Sequence, residues 1–160
     1  MKKWIFAGLL FGLSQQASAL CLAPLCSCNV SATPIAFGSF DPLPGLAQDA
    51  TGSVTMTCNG VAGLLIPFRI ALSSGAGTLT NRKMINGTRN LYYNIYSDTN
   101  RTTVWGDGTT GAPNVSGNVL LNLLGTLTVK YDTYGRITAG QTTLVPGTYA
   151  DTIVVTLTYD

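Results

Sequence analysis

Apolar and polar residues alternate most cleanly at the end of the chain. In GTYADTIVVTLTYD, residues 147–160, one face would carry Ile153, Val155, Leu157 and Tyr159, and the other Thr152, Val154, Thr156 and Thr158. A repeat of two residues is that of a half-buried strand, so Ala150 to Tyr159 is predicted as one. The same alternation puts Val54, Met56 and Cys58 on one face of Ser53 to Cys58, and sets Phe68, Ile70 and Leu72 opposite Pro67, Arg69 and Ala71 in Ile66 to Leu72. Asn90 to Tyr96 (NLYYNIY) and Leu123 to Tyr131 also read as strands. Asn29 to Phe37 is extended, but Pro34 cannot donate to a ladder and keeps this stretch at an edge or splits it. Turn clusters separate these segments: FDPLPG (40–45), SSGAG (73–77), WGDGTTGAP (105–113) and TAGQ (138–141). Short strands punctuated by Gly, Pro and Asp predict an antiparallel sandwich. The count is six strong strands, where an immunoglobulin-type sandwich uses seven. A long apolar strand at the end of such a set leaves an edge in need of a cover. The apolar stretch VSGNVLLNLLGTL (115–127) is expected to be a core strand or buried segment rather than an exposed binding surface.

Composition supports the all-β reading and narrows the chemistry. Residues 1–19 read as a secretory signal peptide: Lys2 and Lys3 precede the apolar run Trp4 to Leu13, and Ala17-Ser18-Ala19 gives the cleavage pattern. Removing them leaves one domain, 20–160, of 141 residues. No stretch after them has the length of apolar sequence that crosses a bilayer. The chain has nine Lys and Arg and seven acidic residues, all Asp; loss of Lys2 and Lys3 brings the mature net charge to zero. No basic stripe for nucleic acid remains. Charged residues make up only 10% of the chain, which suits a surface packed against partners.

His and Glu are both absent, which removes the commonest general base and every Ser-His-Asp or Cys-His arrangement. Asp98 and Asp107 flank a Trp-containing turn, but in S-D-T-N and W-G-D-G settings they are expected to accept turn N–H groups. No calcium-loop pattern occurs. Cys21, Cys26, Cys28 and Cys58 are an even number in an exported chain, so disulfides are expected, with three connectivities open. Cys28 and Cys58 both fall at inward strand positions, which favours a bridge between them and leaves Cys21 for Cys26. The spacing C-x4-C-x-C does not form the paired knuckles of a zinc site, and no C-x-x-C redox pair is present. The sequence predicts no enzyme, no metal and no cofactor.

Several segments, in order, carry a family resemblance: CNVSATPIAFG (28–38), GSVTMTC (52–58), RKM (82–84), NLYYNIY (90–96), WGDG (105–108), YGRI (134–137) and GTYADTIVVTLTY (147–159). Together they resemble the spore coat protein U domain family, shared with subunits of archaic, Csu-type chaperone–usher pili. The resemblance implies an incomplete immunoglobulin-like antiparallel sandwich lacking its final strand, and a bridge matching Cys28–Cys58. It further implies partners that supply the missing strand: a periplasmic chaperone, then a neighbouring pilus subunit at an outer-membrane usher. The chain would pass through the periplasm to the cell surface and serve attachment and biofilm formation.

On this reading Ile153, Val155, Leu157 and Tyr159 line the floor of an acceptor groove. Tyr149, at the entry to the last strand, resembles a tyrosine corner, with Asp151 beside it in a structural role. The segment Leu20 to Ser27 makes a poor donor strand, because Pro24, Cys21 and Cys26 interrupt it and Leu20, Leu22 and Leu25 break alternation. The chain would then accept a strand without giving one, as at a pilus tip or outside a polymer. Two rival readings are a secreted coat or matrix protein with a self-complete fold, and a binding module that uses Trp105 and the 115–127 stretch as a loop contact surface.

Overall fold

A computed structural model describes Cys21 and residues 25–109, 111–122 and 124–160. The predicted signal peptide, 1–19, and residues 20 and 22–24 lie outside the described residues. Among those described there is no helix, and eight strands are present: β1 (Cys26–Thr33), β2 (Gln48–Gly60), β3 (Leu65–Leu72), β4 (Arg82–Asn86), β5 (Arg89–Tyr96), β6 (Val115–Leu120), β7 (Thr126–Ile137) and β8 (Val155–Tyr159). They form two sheets, ordered β1-β2-β7-β5-β4 and β6-β3-β8, with every pairing antiparallel. This is an immunoglobulin-like sandwich.

The spine is the long pair β2 and β7, in register from Gln48↔Ile137 to Asn59↔Thr126. Their inner faces supply Val54, Met56, Cys58 and Ile137, and β3 opposes them with Ile66, Phe68, Ile70 and Leu72, all buried. The alternation in β2 and β3 therefore marks the core. Gly52 and Gly135 interrupt the inner face for a steric reason: a Cβ on either would overlap the side chain of Ile35, and at Gly135 that of Phe37 too. The chain between β1 and β2 packs into the space they leave.

Element boundaries differ from the prediction where local chemistry intervenes. Strand β1 starts at Cys26 rather than Asn29 and ends at Thr33, immediately before Pro34, and it is an edge strand. Strand β4 was not predicted, and β6 takes up only the first six residues of the predicted core strand or buried segment 115–127. Strand β4 joins β5 through the two-residue turn Gly87–Thr88, where Gly87 adopts φ 57°. Strand β6 is an outer edge with Val119 as its single buried side chain. Strand β7 begins at Thr126 instead of Leu123 and runs on to Ile137.

The predicted last strand is divided. Ala150 bridges Ile85 of β4 in the first sheet, whereas β8 from Val155 pairs with β3 in the second. Residues 151–154 cross between the sheets, which is how a strand turns a corner in a sandwich. The crossing is anchored by Ser73, whose N–H donates to the Val154 carbonyl and whose Oγ accepts from the Val154 N–H at 2.9 Å.

Candidate functional site

The second sheet ends at β8. One side of β8 is paired with β3; its other side has no strand among the described residues. In the first sheet β1 is likewise an edge, and β1 and β8 lie close together across the sandwich. Between these two edges the inner faces are incompletely covered. Ile153, Val155, Leu157 and Tyr159 point toward the core yet stay half-buried. So do Cys28 and Val30 of β1; Leu127, Val129 and Tyr131 of β7 are half-buried too, but they lie beyond β2 from the β1 edge, where β7 has β5 beside it only over 134–137. Their counterparts one strand inward, Met56, Cys58, Ile66 and Ile70, are almost completely buried. Position on an inner face does not account for this exposure; in β1 and β8 it goes with the unpaired side of each strand. The result is an apolar groove flanked by two unpaired backbone edges.

At one end the groove widens into a cleft of ≈ 430 Å³ lined by Ala32 to Ile35, Val54, Tyr93, Thr133, Tyr149, Ile153 and Val155, among others. The approach to β8 is held by side-chain bonds. The Tyr149 hydroxyl donates to the Val145 carbonyl at 2.9 Å, the backward reach of a tyrosine corner. Asp151 accepts from the Tyr93 hydroxyl at 2.8 Å, from the Ala76 N–H at 3.0 Å and from its neighbour Thr152 N–H at 2.8 Å. Burial first, then the bond to Asp151, pushes the Tyr93 phenol far above its ordinary value, so it stays a donor. These contacts fix the line along which β8 enters the second sheet.

Disulfides close the other flank. Cys28 bridges Cys58 across directly paired positions of β1 and β2, and Cys21 bridges Cys26. The sulfurs of Cys21, Cys26 and Cys28 lie within 4.8 Å of one another, but all three are oxidised into these bridges and offer no thiolate to a metal.

Trp105 is not a contact surface. It is 1% exposed, and its indole N–H donates to the Ile70 carbonyl at 2.9 Å. A Trp this deep serves packing, because its single polar group is used inside the fold. The 115–127 stretch is mixed: Val119 and Leu121 are buried, whereas Leu120 and Leu124 are exposed. Asp98 accepts the backbone N–H groups of Thr102 and Thr103, and Asp107 that of Thr109, as turn formers do.

Sequence reasoning gave no role to Arg82, which is 0% exposed. Its five N–H groups meet five acceptor contacts: Ser73 O twice, Leu79 O, Asn94 Oδ1 and Trp105 O, at 2.7–3.3 Å. Burial lowers its affinity for the proton, offset in part by Tyr93, Asp151 and Asp107. One faint signal existed, since a strand over 82–86 places Arg82 on the same face as the core-packed Met84.

The family model of the "Spore Coat Protein U domain" matches residues 14–156. The chain belongs to that family. Within the spore coat protein U family, it is 34% identical over 134 residues to "Protein U" of Myxococcus xanthus, covering 77% of this chain and 70% of that protein. Among solved structures, it matches a chain of the chaperone–tip adhesion subunit pre-assembly complex from archaic chaperone–usher Csu pili of Acinetobacter baumannii. That match has a TM-score of 0.56 and 22% identity, and covers 83% of this chain. This chain spans 39% of the length of that one, so the likeness is one of fold over a part of it.

Proposed function

We propose that this spore coat protein U domain is a structural subunit of an archaic chaperone–usher pilus. In this reading the groove between β1 and β8 receives an extended strand from another protein. The observation that carries the reading is the half-exposed row Ile153, Val155, Leu157 and Tyr159, beside an unpaired edge and close to the equally half-exposed Cys28 and Val30 of β1. An inserted strand would satisfy both backbone edges and place alternate side chains onto this apolar floor, so the ladder gives affinity and the floor gives selectivity. The Csu-pilus complex contains a chaperone, which supports assigning the first strand donor to a periplasmic chaperone and a later one to a neighbouring subunit at an outer-membrane usher. Attachment and biofilm formation follow as the work of such a fibre, and the chain passes through the periplasm to the surface. The bridge holds Cys21 and Cys26, five apart in sequence, at a Cα–Cα distance of 5.0 Å at the start of β1, which favours a terminal position that accepts a strand and does not give one.

A second reading, a secreted coat or matrix protein with a self-complete fold, is favoured by the 34% identity to Protein U. Periplasmic expression with and without a pilus chaperone of the same host separates the two. Recovery as a one-to-one complex, with the yield of the chain expressed alone reduced by aggregation or degradation, is the expected result. Equal recovery with and without the chaperone, with no complex formed, overturns the pilus reading. A ladder of homopolymers from the purified protein overturns the terminal position.

A further inference from the structure

One buried polar group at the wide end of the groove is explained by nothing above. Thr133 lies on the inner face of β7, in line with Leu127, Val129 and Tyr131, and lines the cleft together with Val54, Ile153 and Val155. It is 4% exposed, and its hydroxyl is the buried side-chain polar atom without a hydrogen-bond partner among the described residues. The Tyr93 hydroxyl in the same cleft donates to Asp151, and the hydroxyl of Ser53, also in the lining, is not among the buried atoms left without a partner. A buried hydroxyl without a partner costs free energy, and valine would fill the same volume without that cost. A hydroxyl retained in the cleft therefore points to a partner that arrives with the groove's occupant.

We propose that Thr133 is a polar subsite of the groove. It selects, from strands of alternating apolar residues, those that carry a hydroxyl or carboxamide side chain at the position facing it. The inference rests on the strand-acceptor reading and adds recognition chemistry to it. The apolar floor sets affinity, and the single polar contact sets register, because sliding the strand by two residues would bury both the Thr133 hydroxyl and the strand's polar group unpaired.

The test uses the full chain, refolded with both disulfides formed, and nine-residue blocked peptides of alternating valine and threonine. Each valine is replaced in turn by serine, and Kd is measured by calorimetry. One serine peptide is expected to bind about five- to tenfold more tightly than the other serine peptides, the range of one net neutral hydrogen bond. Thr133→Val should abolish that advantage while binding the all-valine peptide at least as well, and Thr133→Ser should restore it. Equal penalties at every position, or an advantage that survives Thr133→Val, overturns the subsite and leaves the groove. Failure of every peptide to bind, the all-valine one included, overturns the groove reading and the subsite with it.

Discussion

At the scale of single residues the fold depends on a few polar groups whose partners are all internal. Arg82 is the strongest case. Its planar fork reaches carbonyls from the end of β3, from the β3–β4 connection and from Trp105, plus the Asn94 side chain. Lysine keeps the charge but has three donors on one atom and cannot span these acceptors. Arg82→Lys is expected to lower unfolding free energy by about 2–4 kcal/mol through unpaired buried acceptors. Denaturant titration checks this, and a loss within about 0.5 kcal/mol, the usual size of a surface substitution, would refute it. Asp98 makes a different kind of contribution. Hydrogen bonds from Thr103, then Thr102, hold its carboxyl below the ordinary aspartate value of 3.8. A depressed folded-state pKa adds stability above the unfolded value, and that stability is lost as pH falls through the depressed one. Melting temperature should therefore fall below about pH 4, and Asp98→Asn should flatten that fall while lowering stability at neutral pH. An unchanged acid limb in the variant would assign the acid sensitivity to Asp49 and Asp107, whose carboxyls are also held low.

At the scale of elements, alternation could be read wherever one face of a strand meets the core. The inward sets of β2 and β3 were legible for that reason, and those of β8 equally so. Alternation was blind in three places. Strand β4 turns Arg82 inward, a residue that hydropathy assigns to solvent, though the Gly87-Thr88 turn after it, with glycine first, is a hairpin signal. Strand β6 buries one side chain, too few to make a period. The crossing at 151–154 keeps Ile153 in phase with Val155 while the backbone changes sheets, so the side-chain pattern gives no notice of it. The half-exposure of β8 was not legible: its pattern matches that of a fully covered strand, and only the fold shows that Ile153, Val155, Leu157 and Tyr159 stay half-buried. This leads to a paired prediction. Leu157→Asp places a charge on the groove floor and should abolish recovery with a strand-donating chaperone. Thr158→Asp, one residue on and facing outward, should leave recovery within about twofold. Pull-down yields of the two variants give the answer; equal yields would remove the floor role from Leu157.

At the scale of the whole molecule, the sandwich has two kinds of strand. Strands β2 and β7 share the longest ladder, β2 is flanked by β1 on its other side and β7 by β5 over 134–137, and the Cys28–Cys58 bridge, with a sequence separation of 30, fastens β1 to them. By chain-entropy reasoning that bridge contributes about 3–4 kcal/mol, so β1 stays attached without a ladder on its outer side. Strand β8 has no such fastening and is held by β3, Ser73 and the Asp151 contacts. Local opening should follow this division. In the chain alone, amide hydrogen exchange is expected to be slowest in β2 and β7 and faster by at least about tenfold in β8, with the outer edge of β1 also fast. Occupation of the groove should slow β8 and the outer edge of β1 and leave β2 and β7 nearly unchanged, because only the first two gain a ladder. A self-complete coat protein has the opposite signature: β8 would exchange as slowly as β7 with nothing bound, and no partner would change it. The comparison reads the groove's occupancy from the backbone itself, independently of whether any one side chain contributes to binding.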